Sequence, residues 1–209
     1  MTLRLHHLNA SRSQRIVWLL EELGAEYELV RHERDAQTRL APPGLLKIHG
    51  MGKAPLLEDG EVVVAETGAI AQYLLARHDP DHRLHPRAEE LDFPDYLEWM
   101  HAAEGAVFLP SLIFVYLDAT GLSDSFLAEY MSAERDKAMG VIEARLSEHD
   151  YFAGDRFTAA DCLMGFQLDN ADAAGALAKR PATKAWLERI RVRPAYQRMR
   201  EIIDEAAAA

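Results

Sequence analysis

The groups best suited to chemistry fall in three short stretches. Ser11-Arg12-Ser13-Gln14-Arg15 stands directly before Ile16, Leu19, Leu20 and Leu23, which recur at helical spacing with Gly24 as a stop. Hydroxyls and a guanidinium therefore sit at the positive end of a predicted helix, where donors and the helix field stabilise an anion. Ser11 and Gln14 also have capping-box spacing, on which reading Ser11 only starts the helix. Glu66-Thr67 marks a strand-to-helix junction, where free N–H groups attract a carboxylate and Thr67 has the chemistry of an N-cap. Gly52-Lys53-Ala54-Pro55-Leu56 opens a predicted strand, and Lys53 either meets a carboxylate or is an exposed, solubilising lysine.

These stretches need a scaffold, and the first half of the chain alternates strand and helix signals. Leu3, Leu5 and His7 share one strand face by the two-residue period, with Arg4 and His6 on the other. Tyr27 to Arg31 reads as a second strand. A polar, proline-containing stretch from Glu33 to Gly44 leads to a short helical piece at Leu45 to Ile48. Leu56 to Glu58 and Val62 to Ala65 then flank Asp59-Gly60, a strong hairpin signal. Ile70, Tyr73, Leu74 and Arg77 give one helix face behind Thr67.

From His78 to Glu89 the sequence is charged and proline-bearing, the composition of a linker. The expected division is 1–79 for an α/β domain, 80–88 for the linker and 89–209 for an all-helical domain. Helical periodicity runs over Leu91 to Tyr116, interrupted by Pro94 and Pro110, then Ser125 to Leu146, Thr158 to Ala176, Pro181 to Arg191 and Ala195 to Asp204. The terminal alanines are expected to fray. Thr158 and Asp161 have N-cap and N3 spacing, with Phe157 placed as a hydrophobic staple, and this motif is read as structural.

Composition excludes several classes. A formal net charge of -11 repels phosphate backbones and anionic membranes, so neither nucleic acid nor a membrane is an expected partner. With no apolar run approaching a span and no leader-like stretch after Met1, the expected location is the cytoplasm. The single cysteine, Cys162, rules out dithiol redox chemistry and a thiolate metal cage, and its apolar setting reads as a small buried hydrophobe. His78, His82 and His85 are spaced like ligands, but Pro80 and the linker composition argue against convergence, so no metal is expected.

The whole pattern, an N-terminal β-α-β-β-α unit followed by helices, resembles the cytosolic glutathione transferases, nearest to the serine-type bacterial and fungal Gtt forms. The resemblance rests on Ser11 to Arg15, Gly52 to Leu56, Glu66-Thr67, Gly154-Asp155-Arg156-Phe157-Thr158-Ala159-Ala160-Asp161 and Arg193-Pro194-Ala195-Tyr196-Gln197-Arg198, in order and at matching spacing. A proline common in the family at the position of Ser13 is missing. The resemblance implies a thioredoxin-like domain plus a helical bundle, glutathione as co-substrate and a homodimer. It also implies a cis bond before Pro55, which leaves the Ala54 main chain to pair with the cysteinyl backbone of glutathione. Ser11 is implied as thiol donor with Ser13 in reserve and Arg12 assisting. Thr67 and Glu66 would hold the γ-glutamyl end, Lys53 the glycyl carboxylate, and Glu104 a neighbouring subunit's glutathione amine. An electrophile site between the domains would draw on Leu8, Asn9, Phe108, Ser111, Phe114 and Val115, the phenylalanines having core packing as their other reading. The implied activity is addition of the thiolate to small hydrophobic electrophiles or reduction of peroxides. A non-catalytic interaction module and a glutathione-dependent isomerase or dehalogenase are the alternatives.

Overall fold

The computed structural model describes residues 2–208; the end of the alanine run expected to fray lies outside them. The chain divides into two compact units, one of residues 1–84 and 190–209, the other of residues 85–189.

The first unit is built on strands β1 (Leu3–Leu8), β2 (Tyr27–His32), β3 (Leu56–Asp59) and β4 (Val62–Ala65), in the order β2-β1-β3-β4. β1 pairs parallel with β2 and antiparallel with β3, and β3 pairs antiparallel with β4. A parallel pair needs a crossover, and helix α1 (Gln14–Leu23) supplies it. It ends on Gly24, whose φ of 65° gives the left-handed C-cap that its sequence position suggested. A single 3-10 turn at Pro43–Lys47 precedes β3, and helix α2 (Thr67–His78) follows β4. Leu3, Leu5, Ile16, Leu19, Leu20, Leu23, Ile70 and Leu74 are buried, as the periodicities predict, whereas Tyr73 is half-buried and Arg77 exposed.

The second unit is helical: α3 (Phe93–Ala102), α4 (Phe108–Ala119), α5 (Phe126–Glu148), α6 (Ala159–Ala173) and most of α7 (Pro181–Arg191). The predicted segment from Leu91 to Tyr116 is two helices. Pro94 and Pro110 lie in their first turns, where a missing N–H costs nothing. The last helix, α8 (Pro194–Ala208), belongs with the first unit rather than with the other helices, which corrects the expected division at its C-terminal end.

Charge pairing and one aromatic contact explain this return. Arg193 makes a two-pronged hydrogen bond to Glu22, at 2.7 and 2.8 Å, and Arg198 Nε reaches Glu21 at 2.9 Å. Trp18 meets Tyr196 edge-on at 5.0 Å. The C-terminal sequence signature thus clamps α8 onto α1.

α7 is capped from outside its own sequence. Glu143 on α5 accepts from Ala182 N at 2.9 Å, Thr183 N at 3.0 Å and Thr183 Oγ1 at 2.7 Å. Burial pushes the Glu143 carboxyl up, but these donors and Arg180 outweigh it and hold the carboxyl below its usual value. A lowered folded value means the cap contributes fully above the unfolded value of ~4.3 and is lost as pH falls through the folded one. Glu143→Gln is therefore expected to cost about 1–2 kcal/mol near neutrality, less as the medium becomes acidic, in denaturant titrations run at several pH values.

Among the described residues no helix is long and apolar enough to cross a membrane.

Candidate active site

Register brings the three chemical stretches to one end of the sheet. β1 ends at Leu8 and leads into the serine loop. The β1–β3 ladder closes at His6 opposite Leu56, so Pro55 and Ala54 lie just past it. Leu56 in turn faces Ala65, the last residue of β4, so Glu66 emerges on the next strand over. With neighbouring strands about 4.8 Å apart, the serine loop, the Ala54–Pro55 segment and the Glu66–Thr67 junction are consecutive along that edge. The Ala54–Pro55 bond is cis, as the resemblance implied.

The two serines differ sharply in surroundings. Ser13 has no exposed surface, and its Oγ lies 2.8 Å from His7 Nδ1, 2.8 Å from Ser11 Oγ, 3.1 Å from Leu8 N and 3.2 Å from Leu8 O. Ser11 keeps 7% exposure, and its Oγ accepts from Ser13 N at 3.2 Å. The capping-box reading of Ser11 is corrected: Ser13, not Ser11, occupies the N-cap position of α1, and Ser11 Oγ folds over the loop to meet Ser13. Arg12 is half-buried in the same turn, with its carbonyl accepting from Arg15 N at 3.1 Å.

At the other junction Thr67 is the first residue of α2 rather than its N-cap, a position that Glu66 takes with φ at 73°. A positive φ is costly for a residue with a Cβ, roughly 1–3 kcal/mol, and such conformations cluster at binding sites. It turns Glu66 outward and buries Thr67 to 3% exposure. The Thr67 hydroxyl makes no hydrogen bond to another described residue, at the head of a helix whose first N–H groups have no intrahelical partner. Lys53 is exposed and Ala54 half-buried.

The remaining expected residues are spread over both units. Leu8 is buried, and Asn9 is occupied by Arg34, whose main-chain N–H donates to Asn9 Oδ1 at 3.0 Å. In the second unit Phe108 packs on Phe166 with ring centroids 6.0 Å apart, Arg135 lies 4.9 Å over the Phe114 ring, Ser111 is half-buried and Val115 is exposed, all four on α4. Glu104, expected on a helix, lies in the turn between α3 and α4 because the segment breaks after Ala102. No group of three or more His, Cys, Asp or Glu among the described residues is arranged to hold a metal, the histidines of the 78–85 segment included. Cys162 is buried on α6.

Residues 1–76 match the glutathione S-transferase N-terminal domain and residues 123–194 the glutathione S-transferase C-terminal domain. The chain belongs to the glutathione S-transferase family. It is 32% identical to Glutathione S-transferase 1 of Saccharomyces cerevisiae over 95% of this chain and 94% of that one. Against Glutathione S-transferase 3 of Schizosaccharomyces pombe the identity is 31%, covering 96% and 88%. Among solved structures, a glutathione S-transferase from Actinobacillus pleuropneumoniae superposes with a TM-score of 0.88 at 34% identity, covering 97% of this chain and 93% of that one.

Within this family member, His7 is the site residue that sequence reading passed over. It shares a strand face with Leu3 and Leu5 and is buried, at 4% exposure, as is His6 on the other face. The signal was available: a polar group on an apolar strand face must find a hydrogen-bond partner, and the serine loop follows within a few residues.

Proposed function

We propose that this transferase binds glutathione at the β1, β3 and β4 edge, holds its thiol as thiolate through Ser11, and adds it to small hydrophobic electrophiles. The observation that carries the reading is the contrast between the serines: Ser13 is enclosed and fully engaged, whereas Ser11, one hydrogen bond farther out, makes fewer contacts and retains a small exposure of 7%. The γ-glutamyl carboxylate takes the Thr67 hydroxyl and the first N–H groups of α2, and Glu66 accepts from the ammonium. Ala54 pairs through its main chain with the cysteinyl backbone in the manner of an added strand, and Lys53 meets the glycyl carboxylate. Phe108, Ser111, Phe114 and Val115 on α4 offer the electrophile a largely apolar surface. The protein works as a cytoplasmic homodimer, with Glu104 directed to the neighbouring subunit's glutathione amine; light scattering at micromolar concentration tests the dimer.

The reading is tested by retention on immobilised glutathione followed by a screen of aryl halides, peroxides and unsaturated carbonyls. Loss of retention at millimolar glutathione would instead favour a docking module. Thr67→Val keeps the shape and removes the hydroxyl. A hydrogen bond to a charged group contributes about 1.5–3 kcal/mol, so the affinity for glutathione by titration calorimetry is expected to fall roughly ten- to a hundredfold. The melting temperature should hardly move, because that hydroxyl has no hydrogen-bond partner among the described residues.

A further inference from the structure

Ser13 Oγ has more neighbours than it can bond. A hydroxyl has one proton and two lone pairs, yet Leu8 N, Leu8 O, His7 Nδ1 and Ser11 Oγ all lie within 3.2 Å of it. Leu8 N–H can only donate, which fills one lone pair. One lone pair and one proton are left for His7 Nδ1 and Ser11 Oγ, the two closest groups, both at 2.8 Å.

Two arrangements satisfy both. If His7 Nδ1 is bare, Ser13 gives it the proton, Ser11 must donate into the remaining lone pair of Ser13, and the Ser11 proton is turned away from any ligand. If His7 carries its proton on Nδ1, it fills that lone pair and Ser13 donates to Ser11. Ser11 Oγ then accepts from both Ser13 O–H and Ser13 N–H. Its lone pairs are filled, and its own proton is left to point out of the loop. Only the second arrangement leaves the Ser11 proton free to donate to a ligand.

We propose that His7 is a positioning residue for the reaction: as the Nδ1–H tautomer it orders the Ser13 and Ser11 hydroxyls so that Ser11 must donate to the glutathione sulfur. This rests on the reading of Ser11 as the thiol donor. Neutral imidazole suits the role, since burial, with Arg31 and His32 nearby, pushes His7 down to about 4 and leaves a single ring proton at neutral pH. His7 acts through Ser13 alone.

The test combines the unaltered protein with variants. Nitrogen-15 NMR of the imidazole in the glutathione complex is expected to show Nδ1 protonated and Nε2 bare. The bound thiol's pKa, followed by thiolate absorbance, is expected to rise by about one unit in His7→Leu. It should return to within a few tenths of the parent in His7→Asn, whose amide nitrogen occupies the place of Nδ1. A protonated Nε2 in the complex overturns the inference even if His7→Leu fails to fold, and so does an Asn variant no better than Leu. If Ser11→Ala itself leaves the thiol pKa unmoved, the reading of Ser11 falls and this inference with it. If Ser11→Ala shifts the pKa and the His7 tautomer is wrong, only the role of His7 is lost.

Discussion

Ser11→Ala is expected to raise the pKa of the enzyme-bound glutathione thiol by about one to two units, and Ser13→Ala to raise it less while costing more stability. Lowering a thiol by ~2 units takes about 2.7 kcal/mol of preference for thiolate. A hydrogen bond to a charged group contributes roughly 1.5–3 kcal/mol, and a helix N-terminus about 0.3–1, so the hydroxyl is the larger contribution. From a bound value near ~6.5, a rise of that size cuts the thiolate fraction at about pH 6.5 roughly five- to fiftyfold, and the conjugation rate with it. Stability runs the other way. Removing the Ser13 hydroxyl strands Leu8 N and His7 in a site without exposed surface. At about 1–3 kcal/mol for each of these two orphaned groups, the melting temperature should fall by roughly 4–20 °C. Ser11→Ala takes the acceptor from Ser13 N, itself at a helix start, and from the Ser13 hydroxyl, which has Leu8 O as a second acceptor, and should cost about 1 kcal/mol. Thiolate absorbance titrations and thermal melts on the same preparations give both numbers. A thiol pKa unmoved in Ser11→Ala would refute the assignment, and a shift in Ser13→Ala alone would transfer the donor role to Ser13.

The parts of this site legible from sequence are those set by local rules. The hairpin turn at Asp59-Gly60 and the two-residue period of β1 fix the strands. The register then brings residues 8, 55 and 66 to one edge. What escaped depends on where a side chain goes after the backbone is placed. Ser-x-x-Gln spacing cannot distinguish a serine that caps its helix from one that turns to a neighbouring hydroxyl. The left-handed backbone of Glu66 shifts the start of α2 by one residue, and nothing in its side chain signals it. Arg193 and Arg198 look like solvated charges until Glu21 and Glu22, some 170 residues earlier, are brought beside them. That pairing is why the last helix joins the first unit.

Asp161→Ala should be the most damaging single change in the second unit. The sequence motif predicts a capping box, and Asp161 Oδ2 does accept from Thr158 N at 2.9 Å. The other oxygen reaches beyond the helix: Oδ1 accepts from Phe152 N at 3.2 Å and Trp186 Nε1 at 2.9 Å. Trp186 and Phe152 are fully buried and meet edge-on at 5.1 Å, and Phe152 packs on Trp99 at 4.7 Å. One carboxylate therefore ties the start of α6 to α7 and to the aromatic stack that α3 joins. Burial pushes it up to about 6, the donors around it oppose that rise, and both of its oxygens accept hydrogen bonds. Truncation orphans the N–H groups of Thr158, Phe152 and Trp186 where water cannot replace the acceptor. At about 1–3 kcal/mol each, the loss is about 3–9 kcal/mol, a large part of the 5–15 kcal/mol typical of a folded domain. Asp161→Asn retains one acceptor for Phe152 and Trp186 but turns an amide N–H₂ toward Thr158 N–H, so roughly half that loss is expected. Urea titration followed by tryptophan fluorescence, which reports on Trp99 and Trp186, measures both variants. An alanine variant within about 1 kcal/mol of the parent, or an asparagine variant no better than alanine, would show that Asp161 does not join these elements through its two oxygens.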